Sequence, residues 1–436
     1  MGPVATRTSS TNVRAKVTRA CEKLRRRIGS GRLNSASHLQ NAKAYRMWFI
    51  SDTSAAFGAS LQSLSFTLIA FGVAQSASAA GLLATLYAVV MCIASLFGGV
   101  YVDWYDRRTS IAGYALIQGV LWAALSILAA IDVLDFGMLV AAAVVCALVQ
   151  GALGGATDAL LRSIVGDEGY LAARSANEAR DALISMAGSS IAGACYGLGA
   201  SFLCFVKTLV HALGFATAVR LPVDEERVGR GHLGGSAVSE FICAVRWLVH
   251  EEGVLPLVLT AGLLNFSFVA LQYGAQLQML DEGIESLWVG VAEGVMCAGM
   301  FLGSARMARV RCPESALAPV AVTACALVAV SAVWMGVSSY ASMVLGLAAV
   351  SFCFPAASIA VVSRVYLSAS DAMQGRARSL VVLVTQMLSA LAMALAGQLL
   401  DMFGLVSVSL AAACAAVAAF AVCVCAARTR AGSSAR

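Results

Sequence analysis

Twelve apolar stretches, each long enough to cross a lipid bilayer, leave this chain few folds to choose from. They fall near 47–74, 80–102, 108–131, 136–158, 179–199 and 201–221, then near 253–277, 286–307, 316–337, 341–366, 377–400 and 404–427. A spanning helix needs about 20 mainly apolar residues. Hydrophobic residues make up 60% of the 436 positions and charged residues 12%, with a mean hydropathy of +0.81. A soluble protein of this length needs more polar surface to cover its core. The 39 glycines, with abundant Ala and Ser, suit helices that pack closely where no hydrophobic effect separates helix from lipid. Alternating segments of about ten residues, the mark of a membrane β-barrel, are lacking. The expected fold is an all-α integral membrane protein with twelve transmembrane helices.

Charge placement predicts the orientation. The net charge is +6. Lys and Arg cluster before Trp48, in alternate loops (between helices 2 and 3, 4 and 5, 6 and 7, 8 and 9, 10 and 11) and after Ala427. The opposite loops carry Asp132, Asp135, Asp281, Glu282, Glu285 and Asp401 and no basic residue. By the positive-inside rule both termini are cytoplasmic, in a multi-pass protein of the cell membrane. The basic balance therefore needs no nucleic-acid partner. The thirteen cysteines are scattered, mostly within apolar helices, and no pair has a zinc spacing. They read as small hydrophobes, with no metal, cofactor or disulfide implied.

Residues 1–46 form a basic, Ser-rich cytoplasmic tail without the apolar core of a signal peptide. Its Arg and Ser content also fits a transit peptide, and Met1-Gly2 with Thr6 formally meets a myristoylation pattern that Pro3 interrupts. Val13, Val17, Cys21, Leu24 and Ile28 fall at helical spacing among basic residues, which suits either a helix on the anionic inner leaflet or a solvated tail. The longest internal polar stretch, 222–250, with a short helix expected from Ser236, divides the chain into six-helix halves at 47–221 and 251–427. A tail follows at 428–436. Paired halves of this kind are common in transporters.

Polar residues inside the spans are the next signal. On helix 1, Asp52, Ser60, Ser63 and Thr67 fall within an arc of about 80°, and on helix 7, Asn265, Gln272 and Gln276 span about 40°. Such stripes suit either a water-filled substrate cavity or polar glue between helices. Asp52 and Glu293 lie roughly 8–9 Å inside helices 1 and 8. A carboxyl at that depth is costly unless it is paired or protonated. Each is a candidate for proton coupling or a locally hydrogen-bonded group. Lys207 and His211 are one turn apart on helix 6, and Lys207 is expected to snorkel outward rather than pair with Glu293. Asn265-Phe266-Ser267 matches a glycosylation pattern but lies inside a helix. No phosphate-cradling Gly-Lys motif, nucleophile elbow or zinc-binding His-Glu pattern supports a pump driven by ATP or an enzyme.

Between helices 2 and 3 the chain reads Gly98-Gly99-Val100-Tyr101-Val102-Asp103-Trp104-Tyr105-Asp106-Arg107-Arg108. Alone, this is a charged cytoplasmic turn. With its surroundings it resembles the loop signature of the major facilitator superfamily, in the branch of enterobactin-exporter and macrolide-efflux proteins. Gly99, Asp103, Asp106, Arg107 and Arg108 match, and Trp104 stands where that branch has Arg. Gln75 to Leu82, Leu160 to Asn177 and Gln374-Gly375-Arg376 resemble the same branch. Helix 5 reads Ile191 to Gly197 without the Gly-Pro pair common in exporters of the superfamily.

The resemblance implies two pseudo-symmetric halves and a cavity lined by helices 1, 4, 7 and 10. It also implies a cytoplasmic gate in which Asp103 meets the start of helix 11 near Arg376, while Arg107 and Arg108 face Asp158. The expected activity is alternating-access, proton-coupled efflux of amphipathic small molecules, drug- or siderophore-like, by a monomer. The partners are then a small-molecule substrate, protons and the bilayer. Uptake of a metabolite, or a membrane sensor or lipid-modifying enzyme, are the competing readings.

Overall fold

The computed structural model describes residues 44–62, 64–104, 106–154, 156–221, 246, 251, 253–309, 316–337, 339–368 and 374–433. Among these the chain is helical throughout. In chain order the helices are α1 (Ala44–Ala74), α2 (Ala77–Trp104), α3 (Arg107–Ala130), α4 (Phe136–Leu153), α5 (Ala156–Gly197) and α6 (Ala200–Ala218). The second half holds α7 (Val254–Asp281), α8 (Ser286–Arg309), α9 (Leu317–Gly336), α10 (Tyr340–Ser368), α11 (Gln374–Phe403) and α12 (Leu405–Ser433). The sequence-predicted tail helix at 13–28 and the linker helix from Ser236 lie outside the described residues, as does Ser63.

Eleven of the helices are long and apolar enough to span a bilayer. The exception is α5, and it corrects a sequence expectation. Residues 160–177 read as a loop between helices 4 and 5, yet α5 begins at Ala156 and runs 42 residues, while α4 stops at Leu153. The charged run from Asp158 to Asp181 hides the first part of this helix, leaving only 179–199 to an apolar scan. Leu160, Leu161 and Asn177 are nonetheless buried, because this stretch packs on the foot of α1. There the Trp48 indole N–H donates to the Thr157 carbonyl at 3.0 Å.

Local chemistry sets the helix ends. Asp106 accepts from the Thr109 backbone N–H at 3.2 Å and caps α3, and Asp135 accepts from Met138 N–H at 2.8 Å and caps α4. The joint between α11 and α12 is a single residue, Gly404 at φ 75°, a conformation that glycine adopts without strain.

Within the first half α3 packs on α6 and α2 on α4; within the second, α7 packs on α11 and α12, α8 on α10 and α9 on α12. The halves meet along two seams, α2 with α11 and α5 with α8. One apolar core runs through both halves, while large apolar side chains such as Ile127, Leu209, Leu345 and Leu410 face outward. In a chain solvated by lipid this exposure costs little.

Candidate functional site

A cavity of about 360 Å³ lies between the halves. Its first-half wall comes from α1, α2 and α4 and includes Gln62, Phe66, Thr67, Tyr87, Met91 and Gln150. Its second-half wall comes from α7, α8 and α11 and includes Gln272, Tyr273, Gln276, Glu293, Gln386 and Met393. Neutral amides and phenols, two thioethers and one carboxyl make a wall that can hold both apolar and hydrogen-bonding parts of a solute.

On the side away from the chain termini the cavity is shut by the two seams. Asp401 on α11 accepts from the Ser76 hydroxyl at 2.8 Å and from the Ala77 and Ser78 N–H groups at 3.1 and 2.7 Å. It therefore caps α2 across the divide between the halves, where a carboxylate also suits the helix dipole. Tyr273 donates to the Ala80 carbonyl at 3.0 Å, and its oxygen lies 3.3 Å from the Thr67 hydroxyl. At the other seam Ser286 donates to the Gly193 carbonyl at 2.9 Å and Ser190 to the Gly290 carbonyl at 3.1 Å. A last cross-half bond, from Thr85 to the Ala390 carbonyl at 2.8 Å, lies about 12 Å below the start of α2.

The sequence-predicted site residues separate into groups. Thr67, Gln272, Gln276 and Glu293 line the cavity. Glu293 is 6% exposed and takes hydrogen bonds from Ser189 and Gln272. Ser60 instead donates to the Ile184 carbonyl of α5 at 3.0 Å, and the Asn265 amide bonds to the Thr385 carbonyl at 3.1 Å and to the Ser389 hydroxyl. Both act as polar joints between helices.

Asp52 faces a smaller pocket of about 170 Å³, which shares Ala59 and Gln150 with the main cavity. It pairs with Arg180 of α5 at 2.5 Å. Arg180 also bonds Asp181 at 2.7 and 2.9 Å and Thr53 at 3.1 Å, and its guanidinium lies 5.0 Å from the centre of the Phe49 ring. The sequence reading did not single out Arg180, which lies at the start of the span expected at 179–199.

Of the expected gate, Asp106 caps α3 and Arg108 donates to the Val219 carbonyl at the end of α6. Gly99 and Asp103 lie in the last two turns of α2, Arg107 opens α3, Asp158 falls in the first turn of α5 and Arg376 in the first turn of α11. The side-chain contacts of these residues lie outside the described set.

Lys207 does not snorkel outward. It is fully buried inside the first half, with Nζ 3.6 Å from the centre of the Trp122 ring and 3.1 Å from Gln62 Oε1. It sits about 10 Å from the nearer end of α6, too far for its stem to reach water, so an aromatic face and an amide oxygen replace the solvent. His211, one turn on, is also buried, packed against Gly58 and edge-on to Tyr114.

Solved structures with the same architecture are many. The nucleoside transporter NupG matches with a TM-score of 0.71 at 12% identity, over 87% of this chain and 99% of its own. A bacterial homologue of the iron transporter ferroportin, solved in an inward-facing state, matches with a TM-score of 0.66 at 14% identity, over 88% and 98%. A POT family transporter in complex with 5-aminolevulinic acid matches with a TM-score of 0.64 at 11% identity, over 87% and 94%. No curated protein matches this sequence. At these identities the likeness is one of fold. Residues 48–386 match the Major Facilitator Superfamily, most of the chain from α1 into α11, and with the twelve described helices in two halves around a central cavity the chain belongs to that superfamily of membrane transporters.

Proposed function

We propose that this transporter is a proton-coupled exporter of amphipathic small molecules in the cell membrane, similar to the enterobactin-exporter and macrolide-efflux branch. Its termini are cytoplasmic and it works as a monomer. The observation that carries this reading is Glu293, the one carboxyl among the described lining residues, on a wall otherwise made of amides, phenols, the Thr67 hydroxyl, thioethers and apolar groups. A neutral or cationic amphipathic solute fits such a wall, and an anionic one meets no basic lining residue among the described residues. Solutes named for the neighbours, a nucleoside, iron and 5-aminolevulinic acid, are chemically unlike one another, so the substrate class has to come from the wall.

With cytoplasmic termini, the shut side is the outer one and the cavity faces the cell interior. A solute and a proton then compete for Glu293, and protonation of Glu293 from outside releases the solute there. Asp103 and its neighbours at the foot of α2, with Arg376 opposite, would close the inner side in the other half of the cycle. Asp52, paired with Arg180, serves in this scheme as a second ionisable group that could couple protonation to the packing of α1 against α5.

The test is ethidium accumulation in cells with and without the protein, before and after a protonophore. The parent should lower steady-state ethidium several-fold, and the protonophore should erase the difference. Glu293→Gln should abolish efflux against a gradient while leaving downhill exchange. Undiminished gradient-driven efflux by Glu293→Gln would remove Glu293 from the coupling. Accumulation raised by the protein would favour uptake.

A further inference from the structure

Behind the cavity wall runs a chain of hydrogen bonds whose direction is set at one end. Lys207 Nζ donates to Gln62 Oε1 at 3.1 Å, and Gln62 Nε2 donates to the Tyr87 hydroxyl oxygen at 2.9 Å. Gln62 and Tyr87 line the cavity, while Lys207 is wholly buried behind them. An ammonium group has three donors and no acceptor. Its position 3.6 Å from the centre of the Trp122 ring suits a cation against the negative face of an aromatic ring. With Lys207 as donor, the Gln62 oxygen must face it and the Gln62 nitrogen must face Tyr87. The amide orientation therefore follows from its partner's chemistry.

The phenol oxygen, already accepting from Gln62, finds no protein acceptor for its own proton among the described residues. The open direction is the cavity. An aromatic ladder holds the geometry, since the Phe66 ring lies 5.6 Å from Tyr87 and 5.2 Å from Trp122.

The geometry points to Lys207 as the fixed end of a one-way hydrogen-bond chain that turns the Tyr87 proton into the central cavity, making Tyr87 a donor that selects solutes carrying a neutral hydrogen-bond acceptor such as a carbonyl, ether or ring nitrogen. Lys207 and Gln62 are positioning residues; Tyr87 makes the contact. The opposite wall carries Glu293, an acceptor when ionised. A solute that spans the two walls thus presents an acceptor to the first half and a donor or cation to the second. This rests on the cavity being the solute site, and on neither the direction nor the coupling of transport.

Ultraviolet resonance Raman spectra of the purified full-length protein test it, because the tyrosine Fermi doublet reports whether a phenol donates or accepts. Subtracting the spectrum of Tyr87→Phe isolates Tyr87. In the parent, saturating pyridine, which has a ring nitrogen acceptor, should shift the Tyr87 doublet toward the donor signature, and benzene should not. Gln62→Glu places a carboxylate between Lys207 and Tyr87, able to accept from both. It should turn the Tyr87 proton away from the cavity, giving the donor signature without any probe and losing the pyridine response. Lys207→Met, should Gln62→Glu fail to fold, frees Gln62 to turn and should likewise weaken the pyridine response, with Lys207→Arg restoring it. A parent spectrum already matching Gln62→Glu, or a parent that pyridine leaves unchanged, would overturn the proposal. Neither result bears on whether the protein exports or couples to protons.

Discussion

The two seams that join the halves are built alike in shape and differently in charge. Gly81 is the fifth residue of α2 and Gly290 the fifth of α8. A Cβ on Gly81 would meet the Met393 carbonyl oxygen at 2.6 Å, and one on Gly290 the Ser189 carbonyl oxygen at 2.4 Å. Their counterparts behave the same way, since a Cβ on Gly397 would meet the Ala77 oxygen at 2.4 Å and one on Gly193 the Ser286 oxygen at 2.2 Å. Four residues beyond Gly397 stands Asp401, while four beyond Gly193 stands Gly197. One seam is thus held at its shut end by a carboxylate capping a helix from the other half, and the other at its shut end by neutral Ser-to-carbonyl bonds, with Ser189 bonding to Glu293 deeper in. Steric closure follows the pseudo-symmetry of the fold. The polar latch does not, and so the two seams need not open under the same influence.

Spin labels at Leu198 and Met402, exposed residues at the shut ends of the two halves, in a cysteine-free background, would report that opening as a longer interspin distance. The largest effect should come from Gly193→Val or Gly397→Val. Each sets a side chain against backbone that cannot retreat, at a cost of about 1–3 kcal/mol against the shut state. The open-to-shut ratio should rise by roughly 5- to 150-fold for either. An effect at only one seam would show that the glycines do not act as equivalents.

Asp401→Ala comes next. Losing hydrogen bonds to a charged group costs about 1.5–3 kcal/mol when buried and less at this exposed end, so a rise of roughly tenfold is expected. Asp401→Asn, still a good cap, should recover part of it. The smallest shift belongs to Ser286→Ala, about 0.6 kcal/mol for a neutral interhelical bond in a membrane. An Asp401→Ala shift no larger than that of Ser286→Ala would erase the claimed difference between the seams.

Much of this architecture is legible in the residues. Apolar runs mark all twelve helices because lipid demands about 20 such residues in a row. Only the later part of α5, near 179–199, shows in this way, because charged residues from Asp158 to Asp181 break the pattern over its first part. The stripes on helices 1 and 7 place Thr67, Gln272 and Gln276 on one cavity. Ser60 lies on the same stripe as Thr67 yet faces α5, since an arc of about 80° is wide enough to serve both a cavity and a helix contact. Gln62 and Tyr87 lie off the stripes and match no motif. Their place on the wall follows from how the helices cross, which no single helix encodes. Lys207 was visible as a charge in a span, but its inward turn depends on Trp122 and Gln62, which are 85 and 145 positions away.

The polarity of α5 also bears on how the protein is made. A segment leaving the ribosome enters the bilayer according to its own apolar content, and Arg or Asp near its middle costs about 2.5–3.5 kcal/mol each. Arg180 and Asp181 open the apolar part of α5, nearer its end than its middle, where the cost is smaller, and α5 is the one described helix that does not qualify as a span by its own composition. Its insertion is therefore a cooperative event. It must wait beside α1, already in the membrane, until Asp52 takes up Arg180. On this account a chain lacking residues 44–74 should leave α5 stranded at the membrane surface, and the quality control of nascent membrane proteins would meet this chain first at its fifth helix.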